Sequence, residues 1–102
     1  SNCLLRINNT WVTPELRYNG VHGVMRAEIL QRMQQHSIAC ERRQVNIDEI
    51  QTIQSLFFCN ALSPMKAVET FDLDAFQQRR LDLQPCVELF ETLKLNQFKP
   101  YV

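Results

Sequence analysis

Residues 20–26, Gly-Val-His-Gly-Val-Met-Arg, constrain this chain more than any other stretch, because they contain its only two glycines. They lead directly into a long run of good helix formers. Glycine lets the backbone take a positive φ or approach another group closely, and a helix start presents free N–H groups that attract anions. The pattern predicts either a tight turn that aims the helix or an anion site at its start. Two glycines three residues apart favour the turn.

The composition is that of a single globular domain, residues 1–102, with 45% hydrophobic and 22% charged residues. Eleven basic and eleven acidic residues cancel, which disfavours nucleic acid and anionic membranes as partners. No apolar run approaches the roughly 20 residues that a membrane span needs, and the N-terminus lacks the layout of a signal peptide. We expect a cytoplasmic protein.

The four cysteines are widely spaced and form no Cys-x-x-Cys pair. The two histidines, His22 and His36, lie apart, so no metal site is predicted. The neighbours of three of the cysteines are apolar, which favours buried free thiols over a catalytic cysteine. The four cysteines are Cys3, Cys40, Cys59 and Cys86, and the three with apolar neighbours are Cys3, Cys59 and Cys86.

The first third of the chain predicts a hairpin followed by a helix. Strands at Cys3–Ile7 and Thr10–Thr13 flank Asn8-Asn9, a dipeptide that tolerates the left-handed conformation of a tight turn. The helix runs from Val24 to about His36. Its apolar face consists of Met25, Ile29, Leu30 and Met33. Trp11 and Tyr18 are expected to pack within the fold, with ligand stacking as the alternative.

The middle of the chain predicts a half-exposed strand, Ile38–Val45, and a short helix at Ile47–Gln54. The spacing of Asn46 and Glu49 resembles that of a capping box. The continuous apolar run 56–59, Leu-Phe-Phe-Cys, predicts a strand that is covered on both faces.

The last third predicts a strand at Met65–Phe71, extended structure again at residues 79–81, and a final helix that has Pro85 in its first turn. The predicted fold class is therefore mixed α+β, with β-strands, two main helices and one short helix.

Asn60 ends the apolar strand and is followed by Ala-Leu-Ser-Pro. A polar amide at the end of a central strand can bind a ligand, or its side chain can bond its own backbone in an Asx turn. The residues alone leave these two readings open.

Three segments in this order resemble the C-terminal domain of the fold-type IV pyridoxal-phosphate enzymes, the family of branched-chain and D-amino-acid aminotransferases. They are Ser1-Asn2 opening a strand, the heptapeptide 20–26, and Cys59-Asn60-Ala61-Leu62. The resemblance extends to about Val68. Within the family, the chain is most similar to the 4-amino-4-deoxychorismate lyases, since aminotransferases more often have threonine at the position of Asn60.

The resemblance implies that pyridoxal 5′-phosphate is the cofactor. It implies that Gly23 and the N–H groups of Val24 and Met25 lie at the cofactor phosphate together with Asn60. The N–H group of Ala61 is expected to contact the carboxylate of a small-molecule substrate. The fold implied is the C-terminal domain of the D-amino-acid aminotransferase-like fold.

The resemblance places the Schiff-base lysine and the pyridinium-binding carboxylate of the family outside this chain, so no catalytic residue is predicted within it. The chain is expected to be the C-terminal portion of a longer, homodimeric enzyme. Without the N-terminal domain of that enzyme, the chain is expected to be inactive. The alternatives are a branched-chain or D-amino-acid aminotransferase and a binding or structural domain without chemistry. The apolar surface against which the upstream strands should pack is expected to make the chain self-associate.

Overall fold

The structure is a computed structural model and describes residues 2–15, 23–72 and 77–97. Its strands are β1 (Asn2–Ile7), β2 (Thr10–Thr13), β3 (Cys40–Arg42), β4 (Ile53–Asn60), β5 (Ser63–Ala67), β6 (Thr70–Asp72) and β7 (Gln78–Arg80). Its helices are α1 (Val24–Gln35) and α2 (Gln84–Thr92), with 3₁₀ helices at Ile47–Thr52 and Leu95–Gln97. Five strands form one sheet in the order β3-β2-β1-β4-β5, and β6 pairs with β7 in a second sheet. The predicted mixed α+β class is confirmed.

The predicted hairpin of β1 and β2 is confirmed, and its turn has the expected conformation. Asn8 and Asn9 have φ values of 52° and 60°, which asparagine tolerates better than most residues. The Asn9 N–H group donates to Gln54 Oε1 at 2.7 Å, and Gln54 Nε2 donates to Asn9 Oδ1 at 3.0 Å. The turn is thus held against the start of β4.

Helix α1 covers one face of the large sheet with the side chains that its periodicity predicted. Met25, Ile29, Leu30 and Met33 are all buried, in one cluster with residues of β1, β4 and α2. Trp11 belongs to this cluster and meets Phe57 edge to face, with ring centroids 5.5 Å apart. Trp11 therefore packs within the core, as expected, and Tyr18 lies outside the described residues.

Strand β4 is buried on one face and only partly covered on the other, so the prediction of cover on both faces was wrong. Phe57 and Cys59 are 0% and 1% exposed beneath the helices, whereas Phe58 on the opposite face is 39% exposed. The opposite face is covered in part by Val45 and Phe71, which pack on a smaller apolar cluster. An apolar run of four residues does not show which of its two faces other elements of the fold will bury.

The segment between α1 and β4 contains a shorter strand than predicted. Strand β3 pairs in parallel with β2, with Trp11 opposite Cys40. The predicted short helix is present as the 3₁₀ helix Ile47–Thr52, and it ends where β4 begins. Its start is held by the Asn46 N–H group, which donates to Glu49 Oε2 at 2.8 Å.

The predicted strand Met65–Phe71 is divided between two sheets. Strand β5 pairs with β4, and β6 pairs with β7. The chain changes sheet at Val68 and Glu69: the Val68 N–H group donates to the Leu56 carbonyl, and the Glu69 carbonyl accepts from Leu81. The final helix agrees with prediction, because Pro85 lies in the first turn of α2.

All four cysteines are free, as predicted, but only Cys59 and Cys86 are buried; Cys3 and Cys40 are partly exposed. Burial raises the pKa of the Cys40, Cys59 and Cys86 thiols to about 11. A thiol with so high a pKa is protonated at neutral pH, which disfavours nucleophilic catalysis. Among the described residues there is no cluster that could hold a metal and no helix long and apolar enough to cross a membrane.

Candidate functional site

The candidate site lies at the end of the large sheet where β1 begins and β4 ends. These two strands are antiparallel, and Asn2 pairs with Cys59. Asn2, the first residue of β1, therefore lies beside the last two residues of β4, Cys59 and Asn60. Two of the three segments singled out in the sequence meet here because of this register.

The start of α1 reaches the same end of the sheet. A Cβ atom placed on Gly23 would overlap the amide nitrogen of Asn2 and lie 2.8 Å from Asn2 Cγ. Gly23 has φ −67° and ψ 110°, a conformation open to any residue. Glycine at this position leaves room for the Asn2 side chain, which a Cβ atom would displace. Gly20 and His22 lie outside the described residues, so the other half of the glycine pattern stays a prediction.

The first turn of α1 presents backbone N–H groups to this corner. The first intrahelical bond runs from the Ala27 N–H group to the Gly23 carbonyl at 3.0 Å, so the N–H groups of Val24 and Met25 precede the hydrogen-bonded ladder. No side chain of the described residues caps this end, and its first turn contains no acidic residue. Such an end carries partial positive charge and favours an anion.

Met25 can serve an anion only through its backbone, because its side chain is 2% exposed in the core. The Val24 side chain, by contrast, is 59% exposed. Met25 thus anchors the helix in the core with its side chain and presents its N–H group at the helix start. This double use fixes the position of the first turn.

Asn60 forms the Asx turn that was one of its two predicted roles. Its Oδ1 atom accepts hydrogen bonds from the N–H groups of Leu62 at 2.8 Å and Ser63 at 3.0 Å. With Oδ1 turned to the backbone, the amide nitrogen is the end of the side chain that can donate to a ligand. The two readings of Asn60 are therefore compatible. Ala61 lies exposed in the same turn, and its role in substrate binding stays a prediction.

Two contacts of this corner escaped the sequence reasoning. The Asn2 side chain lies directly beneath Gly23, and Arg26 Nε donates to the Thr13 hydroxyl at 2.9 Å. Neither contact has a signal in hydrophobic periodicity, because each joins residues that are distant in sequence. The position of Arg26 within the heptapeptide was the one available hint.

The family model described as amino-transferase class IV matches residues 1–71, about two thirds of the chain. The chain belongs to this family. No curated protein gave a match.

Solved structures of class IV aminotransferase relatives share the fold. The 4-amino-4-deoxychorismate lyase of Pseudomonas aeruginosa is 39% identical, with a TM-score of 0.61, over 68% of this chain and 26% of that protein. A putative 4-amino-4-deoxychorismate lyase of Legionella pneumophila is 22% identical, with a TM-score of 0.74, over 94% of this chain and 35% of that protein. An aminotransferase of Brucella abortus, solved with pyridoxal phosphate, is 16% identical, with a TM-score of 0.71, over 89% and 32%.

The last two similarities show the fold alone. The chain spans between 26% and 35% of the length of these three proteins. The predicted relationship to fold-type IV enzymes is confirmed by the family match.

Proposed function

We propose that these residues are the C-terminal part of a pyridoxal-phosphate-dependent 4-amino-4-deoxychorismate lyase, which releases 4-aminobenzoate and pyruvate for folate synthesis. The observation that carries the proposal is the meeting of the α1 start, Asn2 and the Asn60 turn at one end of the sheet. The 39% identity to the Pseudomonas lyase, which covers 68% of this chain, supports the lyase over an aminotransferase.

The corner has the chemistry that a cofactor phosphate requires. The N–H groups of Val24 and Met25 and the amide nitrogen of Asn60 are all donors, and the helix dipole adds favourable potential for a dianion. Gly23 allows the helix start to come down onto Asn2. Phosphate binding by oriented amides needs no lysine at the site.

In this proposal the chain's own residues bind and orient. The first turn of α1 and Asn60 hold the phosphate, and the N–H group of Ala61 donates to the substrate carboxylate. Pyridoxal phosphate, when bound, supplies an electron sink for the carbon that bears the substrate's amino group. Proton transfer is assigned to residues that the family carries upstream of the matched segment. A cytoplasmic, homodimeric full-length enzyme is part of the same proposal.

A product assay on the full-length protein tests the proposal. With 4-amino-4-deoxychorismate as substrate, we expect 4-aminobenzoate and pyruvate to accumulate in equal amounts. Transamination of branched-chain or D-amino acids without release of pyruvate would replace the lyase by an aminotransferase. A full-length protein that binds no pyridoxal phosphate would support a domain without chemistry.

A further inference from the structure

Arg26 and Thr13 form a link between α1 and the strands that the proposed function does not use. Arg26 Nε donates to Thr13 Oγ1 at 2.9 Å, and Thr13 Oγ1 donates to the Cys3 carbonyl at 3.0 Å. We propose that Arg26 and Thr13 are positioning residues, which hold the first turn of α1 so that its N–H groups meet the cofactor phosphate. This inference rests on the proposed function.

The Thr13 hydroxyl is placed to serve both partners at once. Thr13 is 0% exposed, so water does not replace a lost partner. The single hydroxyl proton is given to the Cys3 carbonyl, and an oxygen lone pair accepts from Arg26. Three elements, α1, β2 and β1, are therefore joined through one oxygen atom.

The link lies beside the contact between Gly23 and Asn2. Cys3, which accepts from Thr13, directly follows Asn2 in β1, and Arg26 is the third residue of α1. The first turn of α1 thus rests on the strands at two points, Gly23 on Asn2 and Arg26 on Thr13. Loss of the second point would let the turn pivot about the first. The N–H groups of Val24 and Met25 lie between these two points.

The charge of Arg26 is also unusual for its position. A cation in the first turn opposes the helix dipole, and no acidic residue of that turn compensates it. Burial raises the pKa of the Cys3, Cys40 and Cys59 thiols, and the charge of Arg26 opposes each rise. The guanidinium therefore adds positive potential at the start of α1, which favours an anion there.

Cofactor binding to the full-length apo protein tests the link. Thr13→Val keeps the shape and removes the hydroxyl, whereas Thr13→Ser keeps the hydroxyl. We expect Thr13→Val to weaken pyridoxal phosphate binding about tenfold, the effect of one lost hydrogen bond to a charged group. Thr13→Ser should restore the affinity to within about twofold of the unsubstituted protein. The ³¹P resonance of the bound cofactor should shift in Thr13→Val and return in Thr13→Ser.

Pyridoxal, which has no phosphate, separates positioning from general stability. Thr13→Val should leave pyridoxal affinity unchanged; equal losses for both compounds would show a structural role and overturn the inference. Arg26 is only partly buried, so Arg26→Lys tests the same link if Thr13→Val does not fold. Both substitutions together should cost little more than either alone, because they break one link.

Two results would decide against the inference in different ways. If the unsubstituted protein binds pyridoxal phosphate but neither Thr13→Val nor Arg26→Lys changes the affinity, the link has no positioning role and the proposed function stands. If the unsubstituted protein binds no pyridoxal phosphate, the proposed function and the inference both fail.

Discussion

At the scale of single residues, Asn60 closes a turn, and we propose that it also binds the cofactor phosphate. Its Oδ1 atom closes the Asx turn through Leu62 and Ser63, and its amide nitrogen is left as the donor that the proposed phosphate site needs. Asparagine at this position is compatible with a turn and with ligand binding, so the sequence cannot distinguish the two roles. Only the direction in which the amide is turned shows that one side chain can perform both tasks.

Asn60→Asp separates the two tasks. Aspartate forms Asx turns as asparagine does, so the free energy of unfolding should change by less than about 0.5 kcal/mol. The second carboxylate oxygen brings negative charge where a donor stood, so pyridoxal phosphate affinity of the full-length protein should fall at least about tenfold. Denaturant titration and cofactor titration measure the two effects. Unchanged affinity would leave Asn60 with its turn alone.

At the scale of elements, the 3₁₀ helix Ile47–Thr52 is fastened by a small polar network. The carboxylate of Glu49 accepts from Arg43 Nη1 at 3.0 Å, from Arg43 Nη2 at 2.9 Å and from the Asn46 N–H group at 2.8 Å. These bonds hold the pKa of Glu49 below its ordinary value of 4.5, with the Arg43 bond as the larger cause. These bonds tie Arg43, the residue after β3, to the 3₁₀ helix that precedes β4.

Glu49→Gln should make the chain less stable near neutral pH. Because the pKa of Glu49 is depressed in the folded state, its stabilisation is present above the ordinary pKa of 4.5 and is lost as the pH falls through the folded value. The difference between the two proteins should therefore shrink below that pH. Denaturant titrations across this range measure it. Asp48→Asn, an exposed neighbour in the same turn, is the matched control. A difference that does not change with pH would contradict the role of the charge.

The sequence predicts those elements whose signals are local. The Asn8-Asn9 turn, the apolar face of α1 and the Asn46–Glu49 spacing each lie within one element or turn, and each was predicted correctly. The parallel pairing of β3 with β2 and the change of sheet at Val68 depend on partners far along the chain. Local patterns carry no information about such partners.

The candidate site divides in the same way. Gly23 and Asn60 could be singled out from their local pattern, and the resemblance gave them roles. Their meeting depends on the register that pairs Asn2 with Cys59, and the link from Arg26 to Thr13 depends on the same packing. No local pattern could have predicted either contact.

At the scale of the whole molecule, one face of the large sheet is incompletely covered. An open apolar cavity of about 340 Å³ lies on it, lined by residues that include Leu5, Val45, Leu56 and Phe71. Phe58, on the same face of β4 as Leu56, is 39% exposed. Exposed apolar area of this kind promotes association. We propose that the self-association predicted from the sequence takes place through this face of the sheet.

Phe58→Glu should shift the 102-residue chain towards monomer in sedimentation velocity experiments. Phe58 lies opposite Lys66 in the sheet, so a carboxylate gains an oppositely charged neighbour and the fold should tolerate it. Val87→Glu on α2 is the matched control, since Val87 is 45% exposed but lies on a different element. Equal effects of both substitutions, or a chain that is monomeric without them, would contradict association through this face.

A crystal structure of the full-length protein with pyridoxal 5′-phosphate tests the central claim most directly. The phosphate is expected within hydrogen-bonding distance of the N–H groups of Val24 and Met25 and of the Asn60 amide nitrogen, with Gly23 resting on Asn2. A cofactor whose phosphate is held elsewhere, with the start of α1 making no contact with it, would contradict the assignment of this corner as the phosphate site.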